Sequence, residues 1–175
     1  MTDYELINLC KRFDRGAQRL LYERFVIKMT RLCLRYIKDE EDTKDVLAEA
    51  FIKIFQHIQR FNFMGEGSLE AWLKRIVINQ ALMFLRKRRN LIRAIKVEDQ
   101  NVSLEAPIEF ELAAEQLYNL IMELPLGYRT IFNLYAIEGY THKEIAMQLS
   151  ISESTSRSQL AHARQTLKRM LSKQI

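Results

Sequence analysis

Turn-forming residues are scarce in this chain, and this scarcity restricts its fold more than any other feature. Its 175 residues include only five glycines and two prolines, whereas average usage of about 7% and 5% would give about 12 and 9. Strand-rich folds need these residues at their many turns, which argues against a sandwich, barrel or propeller. Hydrophobic residues make up 48% of the chain, enough for a buried core. The sequence therefore predicts an all-α fold.

Two small helical domains are predicted on either side of one irregular stretch. Residues 97–108, VEDQNVSLEAPI, lack helical periodicity, contain a proline and carry three acids but no base, as is typical of a linker. We expect an acidic, flexible linker between a domain at 1–96 and a domain at 109–175. The first helix break is expected near Gly16, and Ser68 is expected to N-cap a helix. Apolar residues at helical spacing predict helices at 3–13, 17–38, 42–59, 68–89, 109–123, 126–138, 141–149 and 153–172.

Charge is arranged in blocks of opposite sign around a net charge of +5. Residues 39–49 hold six acids and one base, 71–97 hold eight bases and no acid, and 98–128 hold seven acids and no base. From residue 139 onwards bases lead again, six to two. Such blocks mark either interaction faces or solvated faces. The basic blocks suit a polyanion, either nucleic acid or an anionic membrane surface.

Nothing in the sequence indicates membrane insertion, secretion, catalysis or a cofactor. No stretch approaches the about 18 apolar residues of a membrane span, and the charged N-terminus differs from a signal peptide. Cys10 and Cys33 stand apart, as expected of reduced thiols in the cytoplasm. His57, His142 and His162 are scattered and match no metal-binding or catalytic motif. We expect a cytoplasmic protein that is not an enzyme and needs no cofactor.

The last two predicted helices have the form of a helix-turn-helix. Thr141 and Glu144 make a T-x-x-E capping box, and Ser150 occupies the tight turn, where glycine is favoured because φ is positive. Arg157 and Ser158 lie in the half of the last helix that would reach base edges in a major groove; a solvated polar face is the alternative. The packing face is predicted to comprise Ser156, Leu160, Ala163, Leu167, Met170 and Leu171. The candidate DNA-contacting residues are Lys143, Ser154, Thr155, Arg157, Ser158, Ala161, His162 and Arg164.

An acidic stripe is predicted on the third helix. Asp42, Asp45 and Glu49 follow one another at i, i+3 and i+7, a spacing that brings them to one helix face. We expect Val46 to be exposed beside them. The stripe is either a solvated face with favourable acids near a helix N-terminus or a docking surface for a basic partner.

A basic helix follows a loop that is rich in aromatic and glycine residues. Arg75, Asn79 and Arg86 share one side of the helix, whereas Trp72 is expected in the core. This basic side could be solvated, could lie on a membrane, or could contact DNA, with cations on phosphates and Asn79 on a base edge. The loop at 61–67 could hold a base unstacked from a duplex, or its two phenylalanines could pack underneath it. The candidate DNA-contacting residues here are Phe61, Asn62, Phe63, Arg75, Asn79, Arg86, Arg88 and Arg89.

Three segments, in order along the chain, resemble regions of bacterial sigma factors. DTKDVLAEAFIKIF at 42–55 resembles region 2.2, SLEAWLKRIVINQALMFLRKRR at 68–89 resembles regions 2.3 and 2.4, and GYTHKEIAMQLSISEST at 139–155 resembles region 4. The ordered set is similar to the extracytoplasmic-function (ECF) group, which keeps only domains 2 and 4. This chain departs from the family pattern at Ala48, Met83, Ser150 and Ser156, where the family often has Gln, Asp, Gly and Val respectively.

The resemblance implies a function in transcription initiation. It implies that the chain binds core RNA polymerase through the β subunit and the β′ coiled coil, the latter at the acidic stripe. It further implies capture of a flipped base of the −10 element at 61–67, readout of −35 DNA by the helix-turn-helix, and control by an anti-sigma factor. Two alternatives remain at this point: a stand-alone dimeric helix-turn-helix regulator, which leaves the acidic stripe unexplained, and a basic helical protein that binds RNA or a membrane surface.

Overall fold

The structure of the chain, a computed structural model, describes residues 1–88, 93, 95 and 114–172. Within these ranges the regular elements are helices and no strand is present, which confirms the all-α prediction. The chain divides into two compact units, residues 1–84 and 85–175. The predicted linker at 97–108 and Arg89 lie outside the described residues, so the proposed domain limits stay predictions.

The first unit is built from four α-helices and one short 3-10 turn, with the second and third helices packed along each other. Its largest fully buried side chains include Leu6, Leu21, Met29, Tyr36 and Ile54, each of which contributes about 1.5–3 kcal/mol when its apolar surface leaves water. The elements are α1 (Asp3–Lys11), α2 (Arg15–Ile37), α3 (Glu40–His57), the 3-10 turn (Ile58–Arg60) and α4 (Ser68–Lys87), whose last residues belong to the second unit.

The break between α1 and α2, predicted near Gly16, is centred on Phe13, three residues earlier. Phe13 adopts a left-handed backbone conformation with φ of 61°, and Asp14 caps α2 by accepting the Ala17 N–H at 2.7 Å. Gly16 lies within the first turn of α2. The Asp14 side-chain cap decides where α2 begins.

Both cysteines are buried and free. Burial raises the pKa of Cys10 to about 11 and that of Cys33 to about 12, so both thiols stay protonated and unreactive at neutral pH.

None of the helices described above carries an apolar run of the length that a membrane span requires.

The second unit contains four described α-helices, and its core includes a buried polar side chain, Gln159. In its core the Gln159 side-chain amide donates to the Ile95 carbonyl at 3.0 Å, and Gly127 lies so close to both residues that a Cβ there would come within 3.1 Å of Gln159 and 3.3 Å of Ile95. The elements are α5 (Ala114–Glu123), α6 (Leu126–Phe132) continuing into a π-helical turn (Asn133–Ile137), α7 (His142–Leu149) and α8 (Glu153–Ser172).

Ser150 stands in the turn of the helix-turn-helix with φ of 55° and ψ of 47°, which confirms the predicted left-handed position. The left-handed backbone conformation is strained for serine but not for glycine, whereas glycine gains flexibility in the unfolded chain. The first effect is the larger, so we expect Ser150→Gly to raise the free energy of unfolding by about 1 kcal/mol. Thermal unfolding followed by circular dichroism measures the effect. Gln165→Gly, at an exposed position inside α8, is the control and should lose about 1 kcal/mol; a loss at both positions would contradict the account.

Candidate functional site

The acidic stripe lies on the side of α3 that faces away from the core. Asp39 caps the helix by accepting the Asp42 N–H at 2.9 Å, and the acids of the first turn interact favourably with the helix dipole. Asp45 and Glu49 are exposed, and Asp42 is partly exposed. Two carboxylates are therefore presented to solvent from one rigid, capped helix.

The prediction that Val46 is exposed beside the stripe is wrong. Val46 is only 3% exposed, because it continues the buried positions Thr43 and Ala50 at a spacing of three to four residues along α3. The exposed apolar side chain on this face is Ile52, at 57% exposure, three residues beyond Glu49. The sequence carried the signal: the series 42, 45, 49 extends to 52 at the same alternating spacing of three and four.

The loop at 61–67 packs one of its two aromatic residues, Phe61, beneath it and leaves the other, Phe63, partly exposed. Phe61 is 7% exposed, its ring centroid lies 4.8 Å from that of Trp72, and its carbonyl accepts from Lys11 Nζ at 2.7 Å. Phe61 thus packs under the loop, one of the two possibilities that the sequence left open, and is withdrawn as a candidate base contact. Trp72 is half-buried rather than fully in the core. Phe63 is half-buried, with its ring 5.7 Å from that of Tyr4.

The backbone of the same loop depends on its two glycines. Gly65 and Gly67 have φ of 102° and 79°, values that favour glycine over all other residues. The prediction that Ser68 caps α4 is wrong. The Gly67 carbonyl accepts the Ala71 N–H, so Gly67 takes the N-cap position. The Ser68 hydroxyl instead closes the loop, donating to the Gly65 carbonyl at 2.6 Å and accepting the Met64 N–H at 3.2 Å. This arrangement leaves Asn62 exposed.

The basic face of α4 follows this loop directly in the sequence. Arg75 and Asn79 are exposed on the helix and Arg88 is exposed at its end. Arg86 is partly buried, and its Nη2 atom lacks a hydrogen-bond partner among the described residues. Met83, at the position of a family Asp, is exposed. Together with Asn62, these residues form a polar and cationic set that contains no acidic side chain.

The helix-turn-helix is capped at both of its N-termini. The Thr141 hydroxyl accepts the Glu144 N–H at 3.2 Å, and the Glu144 carboxylate accepts the Thr141 N–H at 2.8 Å, which confirms the capping box. The Ser152 hydroxyl accepts the Thr155 N–H at 3.0 Å at the start of α8. The first turn of each of the two helices is therefore fixed by side-chain caps.

The predicted packing face of α8 is confirmed at its central residues, since Ser156, Leu160, Ala163 and Leu167 are buried. On the other side, Arg157 is exposed and forms an ion pair with Glu153 at 3.0 Å. The remaining candidate DNA-contacting residues that are exposed or partly exposed are Lys143, Ser154, Thr155, Ser158, Ala161 and Arg164.

His162 is placed differently from the other predicted DNA-contacting residues. Its ring stacks on Tyr128, with 5.3 Å between centroids and 9° between planes. Its Nε2 atom is buried and has no hydrogen-bond partner within the described part of the chain. His162 therefore packs against Tyr128, and its buried Nε2 atom is not available to a DNA groove. The reason is that His162 lies at the edge of the polar face of α8 rather than at its centre.

A second aromatic cluster joins three elements of the unit, and sequence reasoning missed it. Tyr135, on the π-helical turn, stacks on His142 with 4.4 Å between ring centroids, and the Arg164 guanidinium lies 5.9 Å from the Tyr135 ring centroid. His142 Nδ1 lies 2.9 Å from Ser156 Oγ. Burial, reinforced by Arg157 and Arg164, lowers the pKa of His142 below its ordinary 6.5, although Glu153 opposes this shift. The one available sequence signal was a serine among the apolar residues of α8.

The lowered pKa of His142 predicts that acid destabilises the fold. The unfolded chain gains a proton at this residue near pH 6.5, and the folded chain resists the same proton, so the free energy of unfolding falls as pH drops below 6.5. His142→Gln removes the titration. Urea unfolding of both proteins at pH 7.5 and 5.5 should therefore show the stability of the wild type falling further than that of the variant. An equal fall in both would contradict the assignment.

Comparison with known proteins finds a matching family for a segment of each half of the chain. The family "Sigma-70 region 2" matches residues 21–91, and "Sigma-70, region 4" matches residues 114–167. The RNA polymerase sigma-H factor of Pseudomonas aeruginosa is 30% identical over 97% of this chain and 93% of its own length. The ECF RNA polymerase sigma-E factor of Haemophilus influenzae is 29% identical over 95% of this chain and 94% of its own length.

Two solved structures share the fold. One, of CnrH in complex with the cytosolic domain of CnrY, aligns with a TM-score of 0.54 at 22% identity and covers 97% of each chain. The other, of the sigma factor RpoE in complex with the anti-sigma factor NepR from Bartonella quintana, aligns with a TM-score of 0.52 at 17% identity, over 88% of this chain and 96% of that one. With regions 2 and 4 in order and relatives matched along nearly their whole length, the chain belongs to the sigma-70 family and to its ECF group.

Proposed function

We propose that this chain is the promoter-recognition subunit that binds core RNA polymerase and directs it to start transcription at particular promoters. One observation carries the proposal: a single chain joins sigma region 2, with an exposed acidic stripe, to sigma region 4, with a doubly capped helix-turn-helix. Both units then act on one assembly, the first on polymerase and the −10 element and the second on the −35 element. The protein works in the cytoplasm, where polymerase is, and carries out no chemistry itself.

Polymerase binding is assigned to the exposed face of α3. Asp45 and Glu49, with Asp42 at the edge, would meet a basic surface, which we take to be the β′ coiled coil. Ile52 would supply the apolar contact that the sequence had assigned to Val46. Charged groups at the rim steer the encounter, and those that become buried fix its register. A further contact with the β subunit is proposed for the second unit.

Recognition of the −10 element is assigned to the loop at 61–67 and the basic face of α4. Asn62 and the partly exposed Phe63 offer an amide and a ring edge to an unstacked base, and Asn79 offers a second amide. Arg75, Arg86 and Arg88 would neutralise phosphates, which contributes affinity without sequence information. Phe61 supports the loop from below through Trp72, and Arg89 remains a proposed phosphate contact.

Recognition of the −35 element is assigned to α8. Arg157 and Ser158 lie in its first two turns, the part of a recognition helix that enters the major groove. Lys143, Ser154, Thr155 and Arg164 would then contact phosphates around the groove, with Ala161 closer to the bases. The Glu153 carboxylate that pairs with Arg157 must release it on binding, at a small cost because both groups are exposed.

An anti-sigma factor is the proposed regulator. Both structural neighbours are complexes, one with the cytosolic domain of CnrY and one with the anti-sigma factor NepR. A regulator that covers the acidic face of α3 would block polymerase. The stand-alone dimeric regulator is the less favoured reading, since it gives that face no role.

Base capture by the loop predicts a specific defect in promoter opening. Changing Asn62 and Asn79 to Ala should reduce opening by about tenfold while −35 binding stays intact, because a captured base loses both hydrogen bonds. Permanganate footprinting with core polymerase measures opening on duplex and pre-melted templates. Asn119→Ala, an exposed amide on α5, is the control.

The two templates separate the two steps of opening. A defect of equal size on pre-melted DNA assigns the two side chains to base capture, whereas rescue by pre-melting assigns them to strand separation. Normal opening on both templates would contradict the assignment of this loop.

A further inference from the structure

The contact between His142 and Ser156 ties the first helix of the helix-turn-helix to the second. His142 is the first residue of α7 and Ser156 is the fourth residue of α8, so their 2.9 Å hydrogen bond joins the N-terminal ends of the two helices. Tyr135 covers the imidazole from the π-helical turn, and such turns are frequent at functional sites. Three successive elements thus meet at one ring.

This contact is polar in a place where packing would ordinarily be apolar. Ser156 is 0% exposed and shares the buried face of α8 with Leu160 and Ala163. A buried hydroxyl needs a partner, and His142 supplies it. Because a hydrogen bond has a preferred direction whereas apolar contact is non-directional, the pair restricts how α8 slides and rotates against α7.

Restriction at Ser156 is transmitted directly to the next residue. Arg157 follows Ser156 on the same rigid helix and leaves it on the exposed side. A side chain that reads a base must be held to within about 0.5 Å. Small shifts of α8 would therefore weaken base discrimination more than they weaken attraction to phosphates, which depends mainly on charge.

We propose that His142 and Ser156 are a positioning pair that sets the placement of α8 and so determines how sharply this chain discriminates −35 sequences. The inference rests on the proposed −35 role of α8. Neither residue contacts a base. Tyr135 stacks on the His142 imidazole from the π-helical turn.

The pair is tested by replacing polar partners with apolar ones singly and together. Full-length His142→Phe keeps a ring for Tyr135, Ser156→Val fills the buried site, and the double variant matches one apolar group to the other. Binding is measured to a preferred −35 duplex selected from random sequences, to the same duplex with one mismatch to it, and to unrelated duplex at equal salt. Thr166→Val, which removes another hydroxyl from α8, is the control.

We expect each single variant to lose about tenfold of its preference for the selected duplex over the mismatched one, since each leaves one partner of this part-buried hydrogen bond unpaired. Binding to unrelated duplex should stay within about twofold, and the double variant should regain most of the preference. Ser156→Ala, which removes the hydroxyl with little change in volume, should repeat the loss and guards against a misfolded valine variant.

Three results would contradict the proposed positioning role of His142 and Ser156. The single variants could keep their preference, they could lose binding to all three duplexes equally, as a purely structural role predicts, or the double variant could lose as much as both singles combined. A wild-type chain without any −35 preference would instead overturn the proposed function on which the pair rests.

Discussion

Asp45→Arg with Glu49→Arg is expected to abolish co-purification with core RNA polymerase while leaving the chain folded. Truncating one partner of a buried charge pair costs about 2–5 kcal/mol, and reversal adds repulsion, so the Kd should rise by at least about a hundredfold. Both side chains are exposed on the side of α3 away from its buried residues, so the unfolding midpoint should change little. Affinity capture on tagged core polymerase measures the loss.

The matched control for this variant is Glu23→Arg with Glu115→Arg. These two exposed acids lie on α2 and α5, and their reversal changes the net charge by the same amount. The control should bind polymerase with nearly unchanged affinity. If both double variants lose binding equally, overall charge is responsible rather than the stripe. If the α3 variant still binds polymerase and initiates normally, the stripe is only a solvated face.

Arg157→Ala is expected to cost about 1–3 kcal/mol of discrimination between matched and mismatched −35 duplexes, the value of one good bidentate contact between Arg and a base. Arg157 is exposed in the second turn of α8 and its Glu153 partner is equally accessible, so little fold stability depends on it. Fluorescence anisotropy with full-length protein and both duplexes measures the change.

Arg164→Ala provides the contrast for Arg157→Ala. Arg164 lies two turns further along α8, where phosphate contact is expected, so its loss should weaken both duplexes to the same extent and reduce the salt dependence of binding. A uniform loss for Arg157→Ala as well would make Arg157 a phosphate contact and leave base readout to other residues.

Local signals in the sequence were sufficient for the helix-turn-helix. Thr141 and Glu144 cap α7 through backbone groups three residues away, and Ser150 shows its positive φ through its place in a short turn. The buried series Leu160, Ala163 and Leu167 follows the helical period. All of these depend on neighbours within one or two turns, so the pattern of residues alone predicts them.

Contacts between distant residues account for what the sequence did not predict. The burial of Val46 depends on which side of α3 meets α2, although the spacing of positions 42, 45 and 49 already indicated that position 52 is exposed. The loop pattern allowed Phe61 either to pack or to face a base, and its partners Trp72 and Lys11 decide for packing. Likewise His142 and Ser156 are fourteen residues apart, and only the turn between their helices brings them together.

The most direct test of the central claim is run-off transcription with core RNA polymerase and genomic fragments from the organism that carries this chain. We predict that adding the chain produces discrete start sites absent from core polymerase alone, with a shared pair of upstream elements at −10 and −35. We also predict that Asp45→Arg with Glu49→Arg removes these starts. If the chain neither binds core polymerase nor changes where transcription begins, the account is contradicted.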